Sequence, residues 1–135
     1  MRTIEKKIKE YNEKINVFEE YIADSTEMYG WIIDLGKKVK EDPLSEHLRI
    51  EDNRVSRCQF NLFVDKEGAI FKAFSDGFIS SGYAAILLNI FNSLTLEEQG
   101  ETKIEDFDGF KIKTLLTMSR ADSFYQMVDM MIKRI

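Results

Sequence analysis

The sequence predicts an α+β domain in which a small antiparallel sheet packs against several helices. Three observations carry that class. Apolar residues recur at helical spacing from Ile4 to Val39, the period switches to alternation at Gln59, and helical spacing returns after Asp76.

Ile4, Ile8, Tyr11, Ile15, Phe18 and Ile22 step by three and four, which places them on one stripe of an amphipathic helix over residues 2–22. Ser25 or Thr26 is placed to cap a second helix. Its apolar positions Met28, Ile32, Leu35 and Val39 keep the same step, and it must end before Pro43. Residues 40–57 are polar, contain the single proline and hold no sustained period, so they read as a long loop with room for a short strand near its end. Loops of that length are usually functional or flexible.

Phe60, Leu62 and Val64 alternate with Gln59, Asn61 and Phe63, which predicts a strand over 59–64. Asp65-Lys66-Glu67-Gly68 supplies turn chemistry, and Ile70, Phe71 and Phe74 place a second strand over 69–74. Ser75 or Asp76 is expected to cap the next helix. Its residues Ile79, Tyr83, Ile86, Leu87, Ile90 and Phe91 cover more than half the circumference, the pattern of a central buried helix. Thr95-Leu96-Glu97-Glu98 has the form of a capping box, and Asp106 or Asp108 is expected to open a further helix before Leu115. The last helix opens at Ser119-Arg120-Ala121-Asp122. Phe124, Met127, Val128, Met131, Ile132 and Ile135 form its packing stripe, with the methionines as core filler. With no repeat, low-complexity tract or linker, residues 1–135 read as one domain.

Composition removes several function classes. A chain with 44% hydrophobic residues and one proline buries a core rather than staying disordered. Its longest apolar stretch, Tyr83 to Phe91, is interrupted by Asn89 and falls short of the roughly 20 residues a bilayer span needs. The N-terminus mixes charges without an apolar block, so no secretory or transit peptide is read and a cytoplasmic location is expected. One cysteine closes no internal disulfide, and with one histidine it supplies neither a four-ligand zinc site nor an iron–sulfur cluster within the chain. The net charge of -5 disfavours nucleic acid as a partner. Glu97 to Asp108 holds six acids against Lys103, and reads as a solvated surface before it reads as a dock for a basic partner.

No glycine-rich phosphate loop, H-E-x-x-H or G-x-S-x-G pattern is present, and the lone His47 falls in the polar loop, where it is expected to be exposed and inert. Cys58 stands apart. It follows Asn53-Arg54-Val55-Ser56-Arg57, and guanidinium groups near a thiol favour the thiolate, the form that attacks electrophilic sulfur. Local sequence leaves two readings open: a reactive thiol, or a small buried residue at a strand end.

Five segments in order resemble the SufE proteins, which accept sulfur from cysteine desulfurases during iron–sulfur cluster assembly. Val55-Ser56-Arg57-Cys58-Gln59-Phe60 occupies the place of the family's V-x-G-C-Q-S. Trp31-Ile32-Ile33-Asp34-Leu35-Gly36 is similar to Y-I-I-E-L-G, and Ser75-Asp76-Gly77 to part of D-S-D-A. Ile79-Ser80-Ser81-Gly82-Tyr83-Ala84-Ala85-Ile86-Leu87 resembles I-x-x-G-L-x-A-L-L, and Leu116-Thr117-Met118-Ser119-Arg120 resembles L-S-P-S-R. The chain departs from these patterns at Arg57, Phe60, Phe74 and Met118. Glycine adopts positive φ freely and arginine does not, so a differently shaped turn is expected before the thiol.

The resemblance implies a SufE-like fold, related to that of iron–sulfur scaffold proteins, and a role as an accessory sulfur-transfer protein rather than a stand-alone enzyme. The implied partner is a pyridoxal-phosphate-dependent cysteine desulfurase, with an iron–sulfur scaffold protein downstream, and no cofactor is implied in this chain. Cys58 would take the persulfide sulfur by thiol exchange. Arg120 matches the motif arginine, and would either favour a thiolate or persulfide anion or be a helix-start arginine bound to solvent or to Asp122. Asp76 matches the second motif acid, with capping of the central helix and partner contact as its two readings. The competing function is a non-catalytic adaptor of the same fold with a structural cysteine.

Overall fold

The computed structural model describes residues 1–21 and 25–135. Ile22 and the Ser25 side chain, named above as stripe and cap, lie outside the described residues. Helix α1 spans Thr3–Tyr21, α2 Ser25–Leu35 and α3 Lys37–Glu41. The hairpin strands are β1, Leu62–Glu67, and β2, Ile70–Ser75. Then follow α4 (Phe78–Asn92), α5 (Leu96–Gly100), α6 (Ile112–Leu115) and α7 (Met118–Lys133), with 3-10 turns at Glu46–Leu48, Glu51–Asn53 and Ile104–Phe107. The chain is α+β, with a two-stranded antiparallel sheet against helices.

Helix α4 is the centre of the packing, as its sequence, apolar on more than half its circumference, predicts. Its Tyr83, Ile86, Leu87, Ile90 and Phe91 are all buried. The sheet lies on one side of α4, α1 and α2 pack on the helix itself, and α3 and α7 each reach a strand. The expected second helix is broken at Gly36 into α2 and α3. The break falls where the backbones meet: a Cβ at Gly36 would lie 2.8 Å from the Gly82 nitrogen of α4.

Both strands sit one to three residues later than their alternation suggests. Glu67 pairs with Ile70, leaving only Gly68 and Ala69 to turn the chain, and Gly68 takes φ +66, as a two-residue hairpin of this kind requires at its first central position. Asp65 to Glu67 therefore belong to β1 rather than to the turn. Leu62, Val64, Phe71 and Ala73 face the core. On the other face Phe63 pairs with Phe74, and the guanidinium groups of Arg54 and Arg49 cover those rings at 4.7 and 3.9 Å. Phe74 thus serves the outer face of the sheet.

The long polar loop is pinned at several points. The Leu44 amide donates to the Ala73 carbonyl at 2.9 Å, Ser45 donates its amide and hydroxyl to Glu67, and Arg134 donates to the Asp52 carbonyl and the Asn53 side chain. Its short strand is a single bridge, Arg54 to Phe63. His47 is exposed. The Thr95 capping box is present, whereas Asp106 accepts from the Lys103 amide in a 3-10 turn and α6 begins after Lys111. Among the described residues no helix is long and apolar enough to cross a membrane.

Candidate functional site

Cys58 sits on a loop that leaves the edge of the sheet at Arg54 and rejoins it at Leu62. The Val55 amide donates to the Leu62 carbonyl at 2.8 Å, and buried Val55 anchors the loop in the core. A turn then runs from Val55 to Cys58, closed by the Cys58 amide on the Val55 carbonyl at 3.1 Å. No described non-glycine residue has positive φ, so Arg57 occupies this turn without backbone strain. A glycine is not required at that point.

Two clamps fix the loop. On one side Gln126 of α7 accepts from the Arg57 amide and donates to the Ser56 hydroxyl, both at 2.8 Å. On the other, the Asp76 carboxylate accepts from the Asn61 amide and from its side-chain nitrogen, both at 2.9 Å, while Arg54 donates to the Asn61 side-chain oxygen at 2.8 Å. Asp76 therefore does not cap α4. Gly77 holds the cap position, and the Ser75 hydroxyl accepts from its amide. Asp76 lies one step beyond the Leu62–Ser75 pair, where the carboxylate meets Asn61 in the extended register instead of folding back onto the helix.

The Cys58 side chain is half-buried and lines a cavity of about 140 Å³. Phe60, Phe78 and Ile79 give this cavity apolar walls, and Arg57, Arg120 and Tyr83 join them. Among the described residues no carboxylate lines it, and no hydrogen bond or ion pair holds the Arg57 or Arg120 guanidinium. Cys58 and Arg120, 62 positions apart, thus border one space, because α7 starts beside the loop and Arg120 stands in its first turn. Phe60 and Phe78 are 50% and 64% exposed, which leaves an apolar rim around the opening.

Deeper in the cavity wall, the Tyr83 hydroxyl lies 3.6 Å from the Cys58 sulfur and 2.5 Å from the Ser123 hydroxyl. Burial pushes Tyr83 well above its ordinary pKa, so it stays a neutral phenol. Its ring is fixed edge-on to Phe124.

A family model described as SufE, Fe–S metabolism associated domain, matches residues 13–135. The chain belongs to the SufE family. An uncharacterized SufE-like protein from Synechocystis sp. is 28% identical over 113 residues, covering 81% of this chain and 70% of that protein. Membership ties the chain to Fe–S metabolism. Of the three SufE site residues expected here, Cys58 and Arg120 come together at the cavity and Asp76 stands behind, bracing the loop. Sequence reasoning left out Gln126, Asn61, Ser123 and the hydroxyl of Tyr83. One signal was available for Tyr83: a tyrosine on the buried face of a helix needs a partner for its O–H. Among the described residues no group of three or more His, Cys, Asp or Glu is arranged to hold a metal.

Proposed function

We propose that this chain accepts sulfur from a cysteine desulfurase onto Cys58 and passes it on for iron–sulfur cluster assembly. The observation that carries the reading is a reachable thiol on a braced loop, beside a cavity that, among the described residues, has two guanidinium groups without a hydrogen-bond or ion-pair partner and no carboxylate. Fixed guanidinium charge at that place attracts an incoming anionic group.

The Cys58 thiol first loses its proton to solvent. The thiolate attacks the outer sulfur of the partner's cysteine persulfide, the partner's S–S bond breaks, and its electron pair leaves on the partner's sulfur, which takes up a proton. A new S–S bond now joins the transferred sulfur to Cys58, so no external oxidant or reductant is consumed. The cavity beside the thiol has room for one added sulfur atom, whose volume is close to the roughly 30 Å³ of a water molecule. Phe60 and Phe78 offer the partner an apolar landing surface. The pyridoxal phosphate belongs to the partner, and the transfer belongs in the cytoplasm, where thiols stay reduced.

The test is incubation with a desulfurase and free cysteine, followed by intact mass. One added sulfur on the wild type and none on Cys58→Ser, with partner binding retained, is the expected result. A Cys58→Ser chain that still supports cluster assembly would replace this reading with the adaptor.

A further inference from the structure

We propose that the Tyr83 hydroxyl donates a hydrogen bond to the Cys58 sulfur and holds it as an anion, with Ser123 setting the direction in which Tyr83 donates. The inference deepens, and rests on, the reading of Cys58 as the sulfur acceptor. In the family pattern that the sequence resembles, a leucine stands where this chain has Tyr83.

A phenol has a single proton and two polar neighbours here, the sulfur at 3.6 Å and the Ser123 oxygen at 2.5 Å. Sulfur is a larger atom than oxygen, so 3.6 Å is within reach of an O–H donor. A thiolate has no proton and can only accept. Once Cys58 ionises, Tyr83 must point its proton at the sulfur, and its oxygen is then free to accept from Ser123 at the shorter distance. All three groups are satisfied only in the order Ser123 to Tyr83 to thiolate. A neutral thiol is a poor acceptor and gains less, so the arrangement favours the anion. Tyr83 does not compete for the charge, because it is 1% exposed and stays protonated.

Among the described residues the charged and titratable groups that line the cavity beside Cys58 are Arg57 from the loop itself, Tyr83 from α4 and Arg120 from α7. The two arginines act through charge, and Tyr83 touches the sulfur. Tyr83→Phe keeps the buried ring on Phe124 and deletes the hydroxyl alone.

The experiment is the pH profile of iodoacetamide alkylation at Cys58 in the full chain, without a desulfurase. Tyr83→Phe should move the midpoint up by about one pH unit, read below the midpoint as alkylation slowed about tenfold, with the high-pH plateau unchanged. Ser123→Ala should move it up by less. An unmoved midpoint in Tyr83→Phe overturns the proposal. So does a downward shift in Ser123→Ala, which would mean that Tyr83 donates to Ser123 in the wild type and turns to the sulfur only when that partner is gone. Because Ser123→Ala removes one small hydroxyl from a helix, it gives this sign test even if Tyr83→Phe folds poorly. If the profiles shift as expected and the wild type gains no sulfur from a desulfurase, the acceptor reading fails and the Tyr83 assignment stands.

Discussion

Gln126 holds Arg57 by its backbone: the Gln126 side-chain oxygen accepts from the Arg57 amide at 2.8 Å, across 69 positions of sequence. With the companion bond to Ser56, this ties the turn before Cys58 to α7, the helix that also carries Arg120 and Ser123. Gln126→Ala removes both bonds from an exposed setting, so stability should fall by about 1 kcal/mol. The Arg57 amide should lose protection in hydrogen exchange, and sulfur transfer should slow, since Cys58 is no longer fixed relative to Arg120. Unchanged exchange at Arg57 would show that the turn holds without α7.

Arg120 borders the Cys58 cavity with no partner of its own among the described residues. Arg120→Ala should slow sulfur loading by about tenfold, equivalent to ~1.4 kcal/mol of lost anion stabilisation. Arg120→Lys should lie between, keeping the charge and losing the planar fork. Melting should shift by no more than about 0.5 kcal/mol in either variant, because no bond is broken. Loading rates that stay at the wild-type value in Arg120→Ala would leave Arg57, of the two arginines that line the cavity, to act on the sulfur.

Asp76 braces the far end of the same loop through Asn61. Asp76→Asn keeps one acceptor and gives the other position to an amide nitrogen, which cannot accept from the Asn61 side chain. The Cys58 loop should become more accessible to a protease while α4 keeps its helicity, since Gly77 and Ser75 form its start. Limited proteolysis with far-UV circular dichroism reads both. Loss of helix together with loop cutting would mean that Asp76 supports α4 after all.

A Cβ added at Gly82 would overlap the Ile32 carbonyl oxygen, which is backbone and cannot step aside. Gly82→Ala should destabilise the protein by about 3 kcal/mol or more, near the upper end of overpacking costs. Gly30, inside α2, has nothing within 4 Å of a built Cβ. Gly30→Ala should therefore stabilise by about 0.5–1 kcal/mol. Urea denaturation of the two variants should move the midpoint in opposite directions.

Glu67, Glu98 and Asp106 all titrate below their ordinary values. Ser45 donates its amide and then its hydroxyl to Glu67, and Thr3 and the Thr95 amide do the same for Glu98. At Asp106 burial pushes upward, but Arg2 and the Lys103 amide outweigh it. A carboxyl whose folded pKa is depressed stabilises the fold above its unfolded pKa, and that contribution is lost as pH falls through the folded value. Stability should thus be level above about pH 5 and decline below about pH 4, as the three carboxylates are protonated. Glu67→Gln should flatten part of that decline in an acid titration of the melting temperature.

The sequence by itself determined the class and most of the helices, and it singled out Cys58. Periodicity is a local property, so the stripes of α1, α4 and α7 were readable, as were the Thr95 capping box and the hairpin. Motif order pointed to SufE membership and to Cys58, and residue counts removed zinc and disulfide chemistry. Strand ends were misplaced because the hairpin register is set by which turn closes and by the hold of Ser45 on Glu67, neither of which alternation encodes. The break at Gly36 depends on Gly82 meeting it from another helix. Only the tertiary structure decided the neighbourhood of the thiol. Arg120, Ser123 and Gln126 are placed by where α7 begins, and the Tyr83 hydroxyl by how α4 is rotated in the core. Hydrogen bonds and charge act over a few ångströms of space, and residues 25 to 70 positions apart acquire that proximity only when the helices pack.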